Sequence, residues 1–222
     1  MKYVLLILIA AAVSVQAGVF SSEKVAAGTI SPEKDYDSVN GSITVGDKAH
    51  VDDLDTVNGS IKVGQGATVG QVETVNGSIN FQDGVTAEHA ETVNGSIKLG
   101  SNCVINGHAE TVNGSVSAGN GCVIEGNMET VNGKISASGA TVDGNIETVN
   151  GDITLDNGTV VDGDVIIEKS NGWFNSNKKI PVVHIGENVV VKGDLIFKKK
   201  VKLYIADSAK TGEVIGDDVI DM

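Results

Sequence analysis

Apolar residues along this chain come in short alternating pairs between glycine and asparagine, as in Ile61 and Val63, then Ala67 and Val69. Alternation with a period of two marks a β-strand, because successive side chains leave opposite faces of the backbone. Asn-Gly recurs at Asn40, Asn58, Asn76, Asn94, Asn113, Asn132 and Asn150, at intervals of 18, 18, 18, 19, 19 and 18 residues. A short fixed period means stacked modules that bury their apolar faces against one another. Helical repeats need longer units and a 3.6-residue pattern, which is absent. Three short strands per unit, turned at Gly and Asn corners, describe one triangular coil of a solenoid. The predicted fold is all-β: a single-stranded parallel β-helix with 18 or 19 residues per coil.

Column by column, the units agree. Three residues after each Asn stand Ile43, Ile61, Ile79, Ile97, Val116, Ile135 and Ile153; just before it stand Val39, Val57, Val75, Val93, Val112, Val131 and Val149. A further column runs Val51, Val69, Ala87, Ile105, Ile124, Val142 and Val161. These are read as inward-facing, part of roughly six such columns of mostly β-branched residues, which suit a pleated interior. Diverged coils follow at Val183–Ile185 with Val189–Val191, and at Leu203–Ile205 with Ala209 and Val214. That makes about nine coils.

The organisation expected is a signal peptide at 1–17, an N-terminal cap segment at 18–36 and seven Asn-Gly coils at 37–168. An inserted loop at 169–181 carries Trp173 and Phe174. Two diverged coils with a C-terminal cap fill 182–216, before a tail at 217–222. Lys2, the apolar run Val4–Val13 and the small-residue site Val15-Gln16-Ala17 carry the signal reading. The run is too short for a transmembrane anchor. Export to a periplasm, the cell surface or the medium is therefore expected.

The coil grammar V-x-G-x-I and G-A-x-V-x-G-x-I, as in Gly139-Ala140-Thr141-Val142-Asp143-Gly144-Asn145-Ile146, resembles that of bactofilins. It is also similar to adhesin-like exported β-helix repeats. The likeness covers about residues 37–216. It implies a right-handed triangular helix that stacks end to end without a nucleotide.

Charge narrows the partners. The chain has 16 Lys+Arg, all of them Lys, against 29 Asp+Glu, for a formal net charge of −13. An acidic chain without arginine is a poor nucleic-acid binder. Residues 18–164 carry −15 and residues 165–222 carry +1, with Lys198, Lys199, Lys200 and Lys202 clustered. That basic end could steer head-to-tail association of copies or touch an anionic cell-envelope surface. Equally, lysine guards a strand edge against stray pairing.

Four columns could carry chemistry. Asp37, Asp55, Glu73, Glu91, Glu110, Glu129 and Glu147 stack like charges; Ca²⁺ could relieve their repulsion, or they form a solvated corner that keeps the rod soluble. Thr56, Thr74, Thr92, Thr111, Thr130 and Thr148 stand two residues before Asn58, Asn76, Asn94, Asn113, Asn132 and Asn150. With the intervening Val inward, Thr and Asn would form one flat outward array; the plainer reading is Asn-Gly turn chemistry, with stacked Asn amides bonding to one another. Cys103 and Cys122 share a phase in adjacent coils, so a disulfide and a buried pair of free thiols both fit. His89 and His108 share a column with Asp53, Gln71, Asn127 and Asn145; a metal lacks a third ligand there, and a solvated face fits better.

No Ser-His-Asp, paired-carboxylate or phosphate-loop arrangement stands out against the repeat. Pectate-lyase-type β-helices are larger and typically use arginine, and hexapeptide acyltransferases use cytosolic acyl donors. The function expected is a non-enzymatic exported scaffold or interaction module, self-associating through its ends. The alternative is an adhesin-like binder of glycan, ice or divalent cation; a polysaccharide lyase or hydrolase stands third.

Overall fold

A computed structural model describes residues 21–169, 179–216 and 218–221; the expected signal peptide, Trp173 and Phe174 lie outside them. The described chain is all-β, a parallel solenoid of about ten turns. Three faces run along the stack. The first is an 11-stranded sheet from Glu23–Val25 through Ile61–Val63 to Val219–Asp221. The second holds two-residue strands such as Thr86–Ala87, and the third is a 10-stranded sheet that includes Gln71–Thr74.

Register follows the repeat. On the first face Ile43, Ile61, Ile79, Ile97, Val116, Ile135, Ile153, Val183 and Leu203 are successive partners. A 19-residue coil keeps this register by placing its additional residue at a corner. Ala87 pairs with Ile105 and Ala90 with Ala109, so the path between them grows by one. The inserted loop is absorbed likewise, since Ile153 still pairs with Val183.

Each face turns two residues of a coil inward. In one coil these are Ile61 and Val63, Ala67 and Val69, then Val72 and Thr74, all buried. Six inward columns exist, as expected, but the sixth is the Thr column. The Val column beside it faces outward and is half-buried, except Val149, which is buried. Period-two alternation from Val72 explains this: Glu73 points out, Thr74 in and Val75 out.

Both ends carry more strand than expected. In the segment read as an N-terminal cap, Glu23–Val25 pairs with Ile43–Val45 and Ile30–Ser31 with His50–Val51, making a further coil. Val25 is buried in the column of Val45. Val219–Asp221, from the expected tail, adds to Val201–Leu203.

Corners divide by backbone. The left-handed conformation falls at the corner between the first and second faces, at Lys48, Gly66, Gly84, Asn102 and Gly121 among others. Neither the ladder asparagines nor their following glycines have positive φ. The Asn-Gly pairs thus do not serve as left-handed turn pairs, while the expected bonding of stacked Asn amides does occur, and these glycines serve a different need. A Cβ on Gly59, Gly77 or Gly95 would lie 1.8–2.0 Å from the carbonyl oxygen of the equivalent residue one coil before. Glycine is required there for room.

Candidate functional site

Seven asparagines form the most regular outer feature. Asn58 Nδ2 donates to Asn40 Oδ1 at 2.9 Å, and the same bond recurs from Asn76, Asn94, Asn113, Asn132 and Asn150 to the Asn one coil before, at 2.8–2.9 Å. All are exposed. Every rung points its donor toward the N-terminal end, so Asn150 is left with an open Oδ1. Lys199 Nζ closes it at 3.1 Å and also donates to the Val149 carbonyl. Burial lowers the pKa of Lys199.

The flat Thr-Asn array does not form, because the Thr column is buried. Each hydroxyl is satisfied across the coil: Thr56, Thr74, Thr92, Thr111 and Thr130 donate Oγ1–H to Gly41, Gly59, Gly77, Gly95 and Gly114 carbonyls at 2.8–2.9 Å. A buried hydroxyl is tolerated when it is bonded, and among the described residues no buried side-chain N or O lacks a partner. Thr148 reaches Gly133 at 3.5 Å. The Asn column alone keeps the outward position expected of both.

The acidic column lies on the third face between the half-buried Val column and the column of His89 and His108. Asp55, Glu110 and Glu147 are each pushed up to about 7. Burial is the main cause, followed by neighbouring carboxylates: Glu73 for Asp55, Glu129 for both Glu110 and Glu147. Asp37, Glu73 and Glu129 are raised as well, again chiefly by burial. A straight stack does not converge. Among the described residues, carboxylates within 4.8 Å of one another as a group of three occur at Asp35, Asp52 and Asp53, not in the column for which Ca²⁺ was the alternative to a solvated corner. The Asp52-Asp53 pair meets Asp35 because Tyr36 pairs with Leu54, which sets Asp35 opposite Asp53 one repeat on.

His89 and His108 do share a column, their ring centroids 5.6 Å apart. The backbone N–H of His108 donates to His89 Nδ1 at 3.1 Å, and that of Asn127 to His108 Nδ1 at 3.0 Å. The same bond is made to Asp53 Oδ1 by Gln71, to Asn127 Oδ1 by Asn145 and to Asn145 Oδ1 by Asp164, at 2.7–2.8 Å. The imidazoles therefore do the work of Asn or Asp, accepting one N–H from the next coil. Replacing both by Asn is expected to leave the melting temperature within about 2 °C. Thermal melts with and without Cu²⁺ check this. Stabilisation by Cu²⁺ in the parent chain, lost in the double variant, would restore a metal role.

Cys103 and Cys122 are free thiols, buried in one inward column. The lysine cluster is largely engaged within the chain. Lys198 pairs with Glu168, itself buried, and Lys200 pairs with Asp218 at 3.5 Å. Lys199 ends the Asn ladder, and Lys202 lies beside Val182 on the first face. Lys198 and Lys200 thus answer carboxylates of their own chain, and Lys199 answers the amide oxygen left over at the end of the Asn ladder. The sequence reading missed Glu168, whose partner stands 30 residues on across the insertion. No family model matches the chain, and no curated protein or solved structure matches it either.

Proposed function

We propose that the protein is a non-enzymatic scaffold whose copies associate end to end. The observation that carries the reading is the exposed apolar strand material at the ends of the stack. Val214 and Ile215 are 44% and 45% exposed on the third face at the C-terminal end, and Ile205, Tyr204 and Ile220 are exposed on the first face at that end; Ile30 is 77% exposed at the other. An edge strand with apolar side chains is a template for another strand. A second copy is the partner named because the coils repeat with one register, so that a first coil of the same three-faced outline would meet the last coil's edges. Along the sides, by contrast, ladder amides and backbone groups are bonded from coil to coil. Export, expected from residues 1–17, would place such rods in the cell envelope or outside it.

Light scattering across protein concentration, with negative-stain images of the same samples, tests this. Mass rising with concentration, as rods one coil-stack in repeat, is the expected result. Ile215→Lys places a charge on the edge strand and is expected to leave monomers with unchanged far-UV circular dichroism. A monomer at every concentration, or rods that survive Ile215→Lys combined with Ile30→Lys on the second-face edge strand at the other end, would remove the ends as the interface.

A further inference from the structure

We propose that Cys103 and Cys122 form a disulfide that staples two adjacent coils, closed by a low-molecular-weight disulfide while the stack is folding. The proposal stands independently of end-to-end association.

Position supports it first. Val104 and Val123 are direct partners on the second face, so the cysteines just before them sit in the same place in consecutive coils. In-register parallel neighbours have Cα atoms about 4.8 Å apart, inside the range that a disulfide spans. Nothing stands between them. Val85 precedes the pair in its column and Ala140 follows it, both buried. Both side chains enter the interior from the same phase of adjacent coils. Cys103 Sγ donates to the Gln82 carbonyl at 3.1 Å, and Cys122 Sγ to the Gly100 carbonyl at 2.8 Å. Each sulfur thus already faces the corner of the coil before it, and Cys122 faces the coil that holds Cys103.

Burial sets when the reaction occurs. At 0% and 1% exposure, neither thiol meets a solute in the folded stack. A solenoid forms by adding coils to a growing end, and an end coil has its inner face open. At that stage the Cys122 thiolate attacks one sulfur of the small disulfide. One small thiolate leaves, and a mixed disulfide remains on Cys122. The Cys103 thiolate then attacks the Cys122 sulfur and expels the second small thiolate. Two electrons pass to the small disulfide, and the two protons lost by the cysteines go to the small thiols. An oxidising compartment, as expected for an exported chain, favours this direction. Once the next coils close, the bond is shielded from reductant.

The test is refolding of the full chain from denaturant with oxidised glutathione, against refolding with dithiothreitol. The oxidised product is expected to be two hydrogen masses lighter and to show no thiol when titrated in denaturant. It should melt about 5–10 °C higher, since the crosslink closes a loop of about 20 residues in the unfolded chain. Cys103→Ala and Cys122→Ala are each expected to fold, because alanine already fills this column at Ala67 and Ala140, and to melt alike after either refolding. Two titratable thiols after oxidative refolding would overturn the proposal. So would a stable glutathione adduct on one cysteine, a crosslinked dimer as the sole oxidised species, or a melting difference that persists in Cys122→Ala.

Discussion

Gly95→Ala is expected to destabilise the stack by about 4 kcal/mol or more, enough to leave much of the chain unfolded. A Cβ there would lie 1.8 Å from the Gly77 carbonyl oxygen and 2.5 Å from its carbon. Both are backbone atoms, so no side-chain rotation relieves the clash. The oxygen is also the acceptor for the buried Thr92 hydroxyl, and Gly95 itself accepts from Thr111. Moving the coils apart to make room would strain the neighbouring rung from Asn94 to Asn76, now 2.9 Å, and leave a buried hydroxyl without its bond. Two controls separate this from ordinary glycine effects. Gly84→Ala places its Cβ no closer than 3.8 Å to anything, yet its φ is +71°, so only the left-handed conformation opposes it, at about 1–2 kcal/mol. Asn94→Ala removes two exposed amide bonds and should cost about 1 kcal/mol. Urea titrations followed by circular dichroism order the three. If Gly95→Ala proved no worse than Gly84→Ala, close approach of the coils would not be what the ladder glycines provide.

This contrast marks where the sequence was legible. Seven Asn-Gly pairs at near-constant spacing determine a stacked coil, and the columns headed by Ile61, Val63, Ala67 and Val69 could be assigned to the interior from one coil alone. The segment E-T-V-N was harder, because period-two alternation allows either Thr and Asn or Glu and Val to share a face. Hydrophobicity chose Val75 for the interior. Parity from Val72 in the same strand chooses Thr74, and the structure follows parity. What makes that affordable is a carbonyl 15 or 16 residues earlier, in another coil, which no single-coil reading contains. The role of the Asn-Gly glycines escaped for the same reason: their constraint comes from the coil below rather than from their own backbone angles. Lys199 meets Asn150 across 49 residues and an insertion, and nothing local announces it. The histidine column, by contrast, was readable as a column. Only the donor, the next coil's N–H, was missing.

The melting temperature is expected to fall by about 5–10 °C between roughly pH 5 and pH 8. Asp55, Glu110 and Glu147 sit at about 7 in the folded chain, above ordinary carboxyl values of 3.8 for Asp and 4.5 for Glu. A raised carboxyl holds its proton more tightly in the folded state than in the unfolded one. Between about pH 4 and 7 the folded chain therefore binds more protons, and stability declines as pH rises through that window. Below it both states are protonated and the carboxyls cost nothing; above it the full cost of ionising half-buried neighbours is present. One pKa unit corresponds to about 1.4 kcal/mol, but these groups keep partial contact with solvent. A combined loss of about 2–4 kcal/mol is the resulting expectation. Glu110→Gln should raise the melting temperature at pH 8 and leave it nearly unchanged at pH 5, because the amide reproduces the protonated form. Added salt should recover part of the loss, since it screens Glu129 and Glu91 from Glu110 but does nothing for burial. Melting temperatures that stay flat or rise toward pH 8 would mean that the carboxylates ionise freely, and the acidic column would then be an ordinary solvated face.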